Sequence, residues 1–281
     1  MADLVFPELP SVAPLLAKGV AGSIGAQGGR PLPRRSAIVA AHTQDVGRLA
    51  AYARVCGFTL RDRVPPTWLH VLTFPLQMAL LAEKDFPYPL AGLVHASNTM
   101  TLHRPVTVAD ELALVVRADN ARAHRKGVLF DVVGEVRVGG EVAWMGTSSY
   151  LAMGAKPPAG EGAAEAEPAA SEAVLPEPSQ QWRLPGDLGR QYSAVSGDVN
   201  PIHLNALTAR LFGFKRPIVH GMWTHARALA ALEPRLPEAY TVSVAFTRPI
   251  LLPNKVRFAT NGTDFAVVNR EGKPYLTGSI A

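Results

Sequence analysis

Apolar and polar positions alternate with strand period in two separate groups along the chain. The first group is Val-rich and covers residues 111–117, 127–138 and 141–153. Turn residues bound each stretch, and the pattern predicts β-strands. Gly139-Gly140, between the last two, is a strong hairpin signal. The second group covers residues 241–246, 255–260, 264–269 and 274–280, with Glu271-Gly272 at a turn. Ahead of each group lies an apolar stretch that predicts a helix of about three turns. These are residues 69–81, with a kink expected at Pro75, and residues 221–232. Consecutive strands joined by short turns imply an antiparallel sheet, and the helix must bury its apolar face on it.

The same order of elements occurs twice, and short identities reinforce it. Tyr52-Ala-Arg-Val-Cys-Gly-Phe58 matches Tyr192-Ser-Ala-Val-Ser-Gly-Asp198 at Tyr, Val and Gly, and Leu102-His-Arg-Pro-Val106 parallels Phe246-Thr-Arg-Pro-Ile250. A duplicated unit follows. The expected fold class is α+β, a double hot dog, with two helix-wrapped antiparallel sheet units joined side by side in one chain. Residues 153–180 break the pattern. They hold five Glu and five Pro among many Ala and offer almost nothing to bury, so they read as an exposed linker. The expected division is residues 1–152 as an N-terminal hot dog preceded by an extended segment, 153–180 as linker, and 181–281 as a C-terminal hot dog. Residues 12–20 read as a short packed helix.

Composition narrows the function classes. The chain has 281 residues, 48% hydrophobic and 18% charged, so most of it should fold. The longest apolar stretch, residues 4–26, is interrupted by Glu8, Pro10, Pro14 and Lys18, which argues against a membrane span. Met1-Ala2-Asp3 carries no basic n-region and Cys56 is the single cysteine. A reducing, cytoplasmic setting is therefore expected. The net charge of +5 suits an anionic ligand, but no basic stripe with interleaved aromatics accompanies it, which argues against nucleic acid.

The densest polar constellation is Tyr192-Ser-Ala-Val-Ser-Gly-Asp-Val-Asn-Pro-Ile-His203. It gathers Ser196, Asp198, Asn200 and His203 around Gly197 and Pro201, both of which favour a shaped turn. A carboxylate and an imidazole converging across such a turn can hold one water and act as acid and base. Equally, Gly-Asp-x-Asn-Pro can be a plain turn with Asx hydrogen bonds, followed by a helix over residues 206–212 with His203 as a satisfied boundary residue. A second feature is Arg216-Pro-Ile-Val-His-Gly-Met222, where the later helix begins. Small Gly221 would let another group approach the first free N–H groups, although a helix start with Gly for close packing is the simpler reading. His220 and His225 lie five apart, whereas helical ligands of one ion stand three or four apart, so no metal is expected. Cys56 has no evident base nearby and reads as buried spacer.

Residues 192–203, with Ala209 six positions on, resemble throughout the hydratase motif of the MaoC-like family, the R-specific enoyl-CoA hydratases and 3-hydroxyacyl-thioester dehydratases. The resemblance implies that Asp198 and His203 are the catalytic pair and that Gly221 donates the oxyanion N–H, with Asn200 and Ser196 in support. Residues 52–58, 65–75 and 85–95 are similar to the N-terminal hot dog of the double-hot-dog members. Phe58 stands where the second half has Asp198, and residues 60–63 stand where it has Asn200 to His203, so one active site per chain is expected. The front half would complete the sheet and shape an acyl pocket lined by Phe58 and Trp68. Lys215, Arg216 and Arg248 are candidates to meet pantetheine or nucleotide phosphates.

The implied activity is reversible hydration of trans-2-enoyl thioesters to (R)-3-hydroxyacyl thioesters in fatty-acid or related lipid metabolism, with no cofactor. The partners implied are an acyl-CoA or acyl carrier protein thioester, with a homodimer as the candidate assembly. Two rivals are a hot-dog acyl-CoA thioesterase and a non-catalytic acyl-thioester-binding protein. The first does not need Asn-Pro-x-His after Gly-Asp, and the second needs neither member of the pair.

Overall fold

A computed structural model describes residues 2–22, 28–90, 92–158 and 177–281 of the chain. It divides into two compact units that take turns along the sequence. The first comprises Met1–Thr43, Leu72–Asn98 and Glu111–Val174, and the second Gln44–Val71, Thr99–Asp110 and Leu175–Ala281.

In the first unit, strand β1 (Leu4–Phe6) pairs parallel with β2 (Ser36–His42). Antiparallel pairing then runs through β4 (Leu112–His124), β5 (Gly127–Val138) and β6 (Glu141–Met153), beside the start of β3 (Leu93–Leu102). Gly139 and Gly140 both have positive φ, 60° and 87°, the geometry of the tight two-residue turn that Gly-Gly permits. On β4 the burial alternates, with Leu112, Leu114 and Val116 turned fully inward. By contrast β5 is buried on both faces from Val128 to Val136, as a central strand covered by a helix must be. That cover is the end of α3 (Pro66–Leu81), which contains Pro75. A Cβ on Gly134 would stand 3.1 Å from the Thr73 hydroxyl, so the glycine sets how closely helix and strand approach. A further helix, α1 (Val12–Gly22), lies where a short one is expected. Of the expected linker, residues 159–176 lie outside the described residues.

The second unit orders its strands as the end of β3, then β8 (Tyr240–Phe246), β11 (Pro274–Ile280), β10 (Asp264–Val268), β9 (Asn254–Thr260) and β7 (Pro178–Leu184). Hydroxyl pairs, Thr99 with Ser243 and Thr101 with Thr241, each 3.0 Å, join β3 to β8. Helix α6 (Gly221–Leu232) packs on β10 and β11, and nine of its residues are buried. No helix among the described residues is long and apolar enough to cross a membrane.

Both copies of the repeated motif meet in this unit. Helix α2 (Val46–Cys56) and helix α4 (Leu188–Ser196) end alike, at Gly57 and Gly197 with φ of 84° and 80°. Left-handed caps of this kind favour glycine. The two helices pack together, and the rings of Tyr52 and Tyr192 approach to 6.1 Å. The starts of α3 and α6 also correspond, through Trp68 and Trp223, His70 and His225, and Pro66 and Gly221. The fold is the expected double hot dog.

His70 and His225 are both buried, and both ring nitrogens of His225 lack a hydrogen-bond partner. Burial holds the His70 imidazole down to about 4 and that of His225 to about 3, the latter with repulsion from His70 as a second cause. In the unfolded chain each would take up its proton near 6.5. Stability is therefore full above about pH 6.5 and is lost as pH falls toward the folded values. Between about pH 7.5 and about pH 5 each histidine should remove about 2 kcal/mol. Urea unfolding across that range should show the loss, and His225→Leu should flatten it by roughly half.

Candidate active site

Four residues separate α4 from a short 3-10 turn, Pro201–His203, and hydrogen bonds hold the segment between them. The Gly197 N–H closes α4 on the Ser193 carbonyl at 2.9 Å. The Ser196 hydroxyl accepts from the Asp198 N–H at 3.2 Å, and the Ser193 hydroxyl donates to the Asp198 carbonyl at 2.6 Å. Asp198 Oδ1 accepts from the Asn200 N–H at 3.1 Å, and Asn200 Oδ1 from the Ile202 N–H at 3.3 Å. These are the Asx turns of the plainer reading of the motif, and helix α5 (Ala206–Leu211) follows as that reading expects. The same turn brings the Asp198 carboxyl and the His203 imidazole together.

Two contacts from outside the motif fix the turn. Arg48 of α2 donates from its guanidinium to the Val195 and Ser196 carbonyls at 2.8 and 3.0 Å, capping the last turn of α4. Gly189 of α4 lies against the His203 carbonyl so closely that no Cβ fits between them.

The geometry around His203 assigns its protons. Its Nδ1 lies 2.8 Å from the Ile218 carbonyl, which can only accept, so Nδ1 carries the hydrogen and Nε2 keeps its lone pair. The His220 ring stacks on it face to face, with centroids 3.6 Å apart and planes 27° apart. His220 Nε2 reaches the Asp198 carbonyl at 3.2 Å, which makes it the donor, and lies 3.7 Å from Asp198 Oδ2. Both histidines are buried, while 24% of the Asp198 side chain is exposed. Burial lowers the His203 imidazole, with Asp198 and the Ile218 carbonyl opposing, and lowers His220 further, with repulsion from His203 adding to it. Burial raises the Asp198 carboxyl against the pull of His203 and the Asn200 N–H. All three directions favour the uncharged forms.

Asp198, His203 and His220 bring three possible ligand atoms within 4.8 Å of one another. Ligation requires both imidazole lone pairs to converge on one point in their ring planes. Rings stacked nearly parallel send them side by side, so a metal would have to break the stack.

Helix α6 starts next to this cluster, with His220 as its N-cap residue. The segment leading into it is fixed on both sides, since the Ile218 N–H donates to the Ile202 carbonyl at 3.1 Å and the Val219 N–H to the Ile250 carbonyl at 3.0 Å. Among the described residues nothing accepts from the Gly221 N–H. A Cβ on Gly221 would stand 3.0 Å from the Phe246 ring.

Of the other residues singled out in the sequence, Ser196 and Asn200 hold the turn. Lys215 and Arg216 are exposed, Arg216 reaching the Pro253 carbonyl at 3.4 Å. Arg248 is committed to the Pro274 carbonyl, at 2.9 and 2.8 Å. Trp68 is fully buried beside Tyr52, with its indole N–H on Gln44, and Phe58 lies at the edge of the same ring cluster. Cys56 is buried, and its thiol is pushed up by desolvation. The pairing of His220 with His225 by spacing does not describe the molecule. His220 belongs to the Asp198 and His203 cluster, whereas His225 is coupled to His70. Sequence reasoning also missed Arg48, for which it offers no signal.

At the corresponding place in the other copy stand Phe58, which has no ionisable group, and Pro66, which has no N–H. Both halves of the arrangement are missing there.

A carboxyl and an imidazole on a capped turn, beside an open helix start, thus define a polar site in a hot-dog protein. The chain belongs to the MaoC-like dehydratase family. Residues 170–277 match the MaoC like domain, and residues 42–140 match the FAS1-like dehydratase domain region. The 3-hydroxyacyl-thioester dehydratase X of Mycobacterium tuberculosis is 39% identical over 254 residues, covering 89% of this chain and 90% of that protein. The crystal structure of HtdX from the same organism is similar with a TM-score of 0.75 at 37% identity, covering 88% of this chain and 99% of that one. A second M. tuberculosis protein, described as having a double hotdog fold, shares the architecture at 14% identity and a TM-score of 0.55, over 90% of this chain and 98% of that one.

Gly189→Ala should destabilise the protein by about 1–3 kcal/mol, because backbone on both sides of the contact must move. Gly186→Ala is the control, since its Cβ would meet Pro253 at an ordinary 3.8 Å. Urea midpoints of the two variants decide the point.

Proposed function

We propose that the chain is a 3-hydroxyacyl-thioester dehydratase that reversibly hydrates trans-2-enoyl thioesters to the (R)-3-hydroxy products. The observation that carries the reading is the His203 tautomer. Its Nδ1–H is engaged by the Ile218 carbonyl, so the free Nε2 lone pair lies beside a carboxyl whose pKa burial raises. One proton on the pair, held by Asp198, is the form that hydration requires.

The thioester carbonyl oxygen faces the Gly221 N–H, and a water lies between Asp198 and His203. His203 Nε2 takes a proton from the water as its oxygen bonds to C3. The electron pair of the C2–C3 double bond shifts toward the thioester, and the charge gathers on its oxygen as an enolate. The Gly221 N–H and the positive end of the α6 dipole meet that charge. Such a donor supplies about 3–4 kcal/mol of transition-state stabilisation. The enolate then collapses and C2 takes the proton of Asp198. A proton returning from His203 to Asp198 through the next water restores the pair. Dehydration follows the same steps in reverse.

His220 acts here as a positioning residue, since it touches both members of the pair. Its N–H holds the Asp198 backbone, and its face supports the His203 ring. Phe58 and Trp68 border the acyl pocket in this reading. Exposed Lys215 and Arg216 are the cations offered to the thioester's phosphates in this reading, whereas Arg248 is held by the Pro274 carbonyl.

Asp198→Asn and His203→Asn should each lower crotonyl-CoA hydration by about 10²–10⁴-fold, read as loss of enoyl absorbance. Either variant, folded and close to wild-type activity, overturns the assignment of the pair. Free thiol released without loss of the double bond would instead indicate a thioesterase. His220→Phe keeps an aromatic face and loses the N–H, and should lower kcat about tenfold with KM little changed.

A further inference from the structure

Helix α5 follows directly on the turn that carries His203, and it faces water with the wrong side chains for a solvated helix. Leu207 and Leu211, one turn apart, are 72% and 80% exposed, and Phe212 beside them is 47% exposed. Apolar side chains grouped in this way mark a contact surface rather than ordinary surface scatter. Along this stretch of the chain the charge has one sign. From residue 199 to residue 232 the chain holds Arg210, Lys215, Arg216 and Arg227 and no acidic residue. Arg210, Lys215 and Arg216 are exposed, and none is ion-paired among the described residues. The patch is also fixed to the site. Ala209 is fully buried, and the Thr208 hydroxyl donates to the Pro201 carbonyl at 2.6 Å, within the turn that ends at His203.

We infer that α5 and the Arg210–Lys215–Arg216 rim dock an acidic acyl carrier protein that delivers the thioester on its phosphopantetheine arm. This deepens the dehydratase reading and rests on it. A coenzyme A nucleotide would use the cations but has no need of two leucines facing water. A second copy of the chain would bring the same positive rim against itself, and like charges at an interface count against it. An anionic lipid surface suits longer amphipathic helices than these six residues, and it supplies no reason for the patch to be built on the catalytic turn. A carrier protein with an acidic, partly apolar face matches both the charge and the leucines.

The test uses the full chain, the holo acyl carrier proteins encoded in the same genome, and trans-2-octenoyl groups on carrier and on CoA. Fluorescence anisotropy of labelled holo carrier reads docking, and loss of enoyl absorbance reads turnover. Leu207→Ser with Leu211→Ser, and separately Arg210→Glu, should raise the carrier Kd and the KM for carrier-borne substrate at least tenfold. Kinetics on the CoA substrate should stay within about twofold, and docking should weaken with added salt. The docking proposal is overturned if no carrier binds while enoyl-CoA is hydrated, or if the variants weaken both substrates equally. It is also overturned if the same substitutions release the chain from anionic phospholipid vesicles or dissociate a dimer while leaving carrier binding unchanged. Carrier binding that the variants abolish, in a protein that hydrates neither substrate, would uphold the surface and reject the dehydratase reading.

Discussion

The site depends on one reciprocal pair of hydrogen bonds. The Ile218 carbonyl accepts from His203 Nδ1, and the Ile218 N–H donates to the carbonyl of Ile202, the residue before His203. Together they join the turn after α4 to the segment that leads into α6. The first bond selects the tautomer, and the second holds the backbone that brings the Gly221 N–H alongside. A buried carbonyl left without its partner would cost about 1–3 kcal/mol, so the arrangement has no cheap alternative. Acid/base pair and open helix start are held at a fixed distance because the same residue serves both.

Around that link, duplication has left asymmetric chemistry on symmetric scaffolding. Tyr52 and Tyr192 still meet, and Gly57 and Gly197 still cap their helices in the left-handed conformation. Phe58 and Pro66 have nevertheless removed the carboxylate and the N–H donor from one copy. The copy without the chemistry still supports the other. Arg48 of α2 caps the last carbonyls of α4, one residue before the turn that presents Asp198. The reverse contact also exists, since the Trp223 indole of α6 donates to the Val55 carbonyl at the end of α2, at 3.0 Å. The elements that carry Asp198 and Gly221 are therefore each tied to helix α2 of the other copy.

Legibility in the sequence followed the hydrophobic pattern and failed where tertiary contacts satisfied polar residues. Strands β5 and β6 and helix α6 have the bounds that their apolar runs and flanking turn residues predict, because burial decides them. Strand β3 was not legible. Its Ser97-Asn98-Thr99 run reads as loop, yet Asn98 bonds to the Thr147 carbonyl and Ser148, and Thr99 pairs with Ser243. Strand β7 was hidden by Ser179-Gln180-Gln181, which is tolerable on the last strand of the sheet order. Helices α2 and α4 were seen only as matching sequence, since the serines of α4 suggest a turn and are satisfied through Asp198. The motif made Asp198 and His203 visible. The place of His220 was not, because spacing along a chain carries no information about a ring stacked from seventeen residues away.

Dryness explains why three titratable groups can share so small a space. A carboxylate and two imidazoliums in contact could not all be charged, and burial penalises each charge separately. The raised carboxyl of Asp198 and the lowered imidazoles of His203 and His220 are one consequence of this. Each shift moves its group toward the uncharged form, so the cluster as a whole carries less charge than a solvated aspartate and histidines would. The stacked His220 adds to the effect, since a cation on either ring would repel one on the other. Its neutrality costs the protein stability in acid, as the buried histidines elsewhere do. In the proposed hydration, that same neutrality lets His203 take a proton from water and Asp198 give one to carbon.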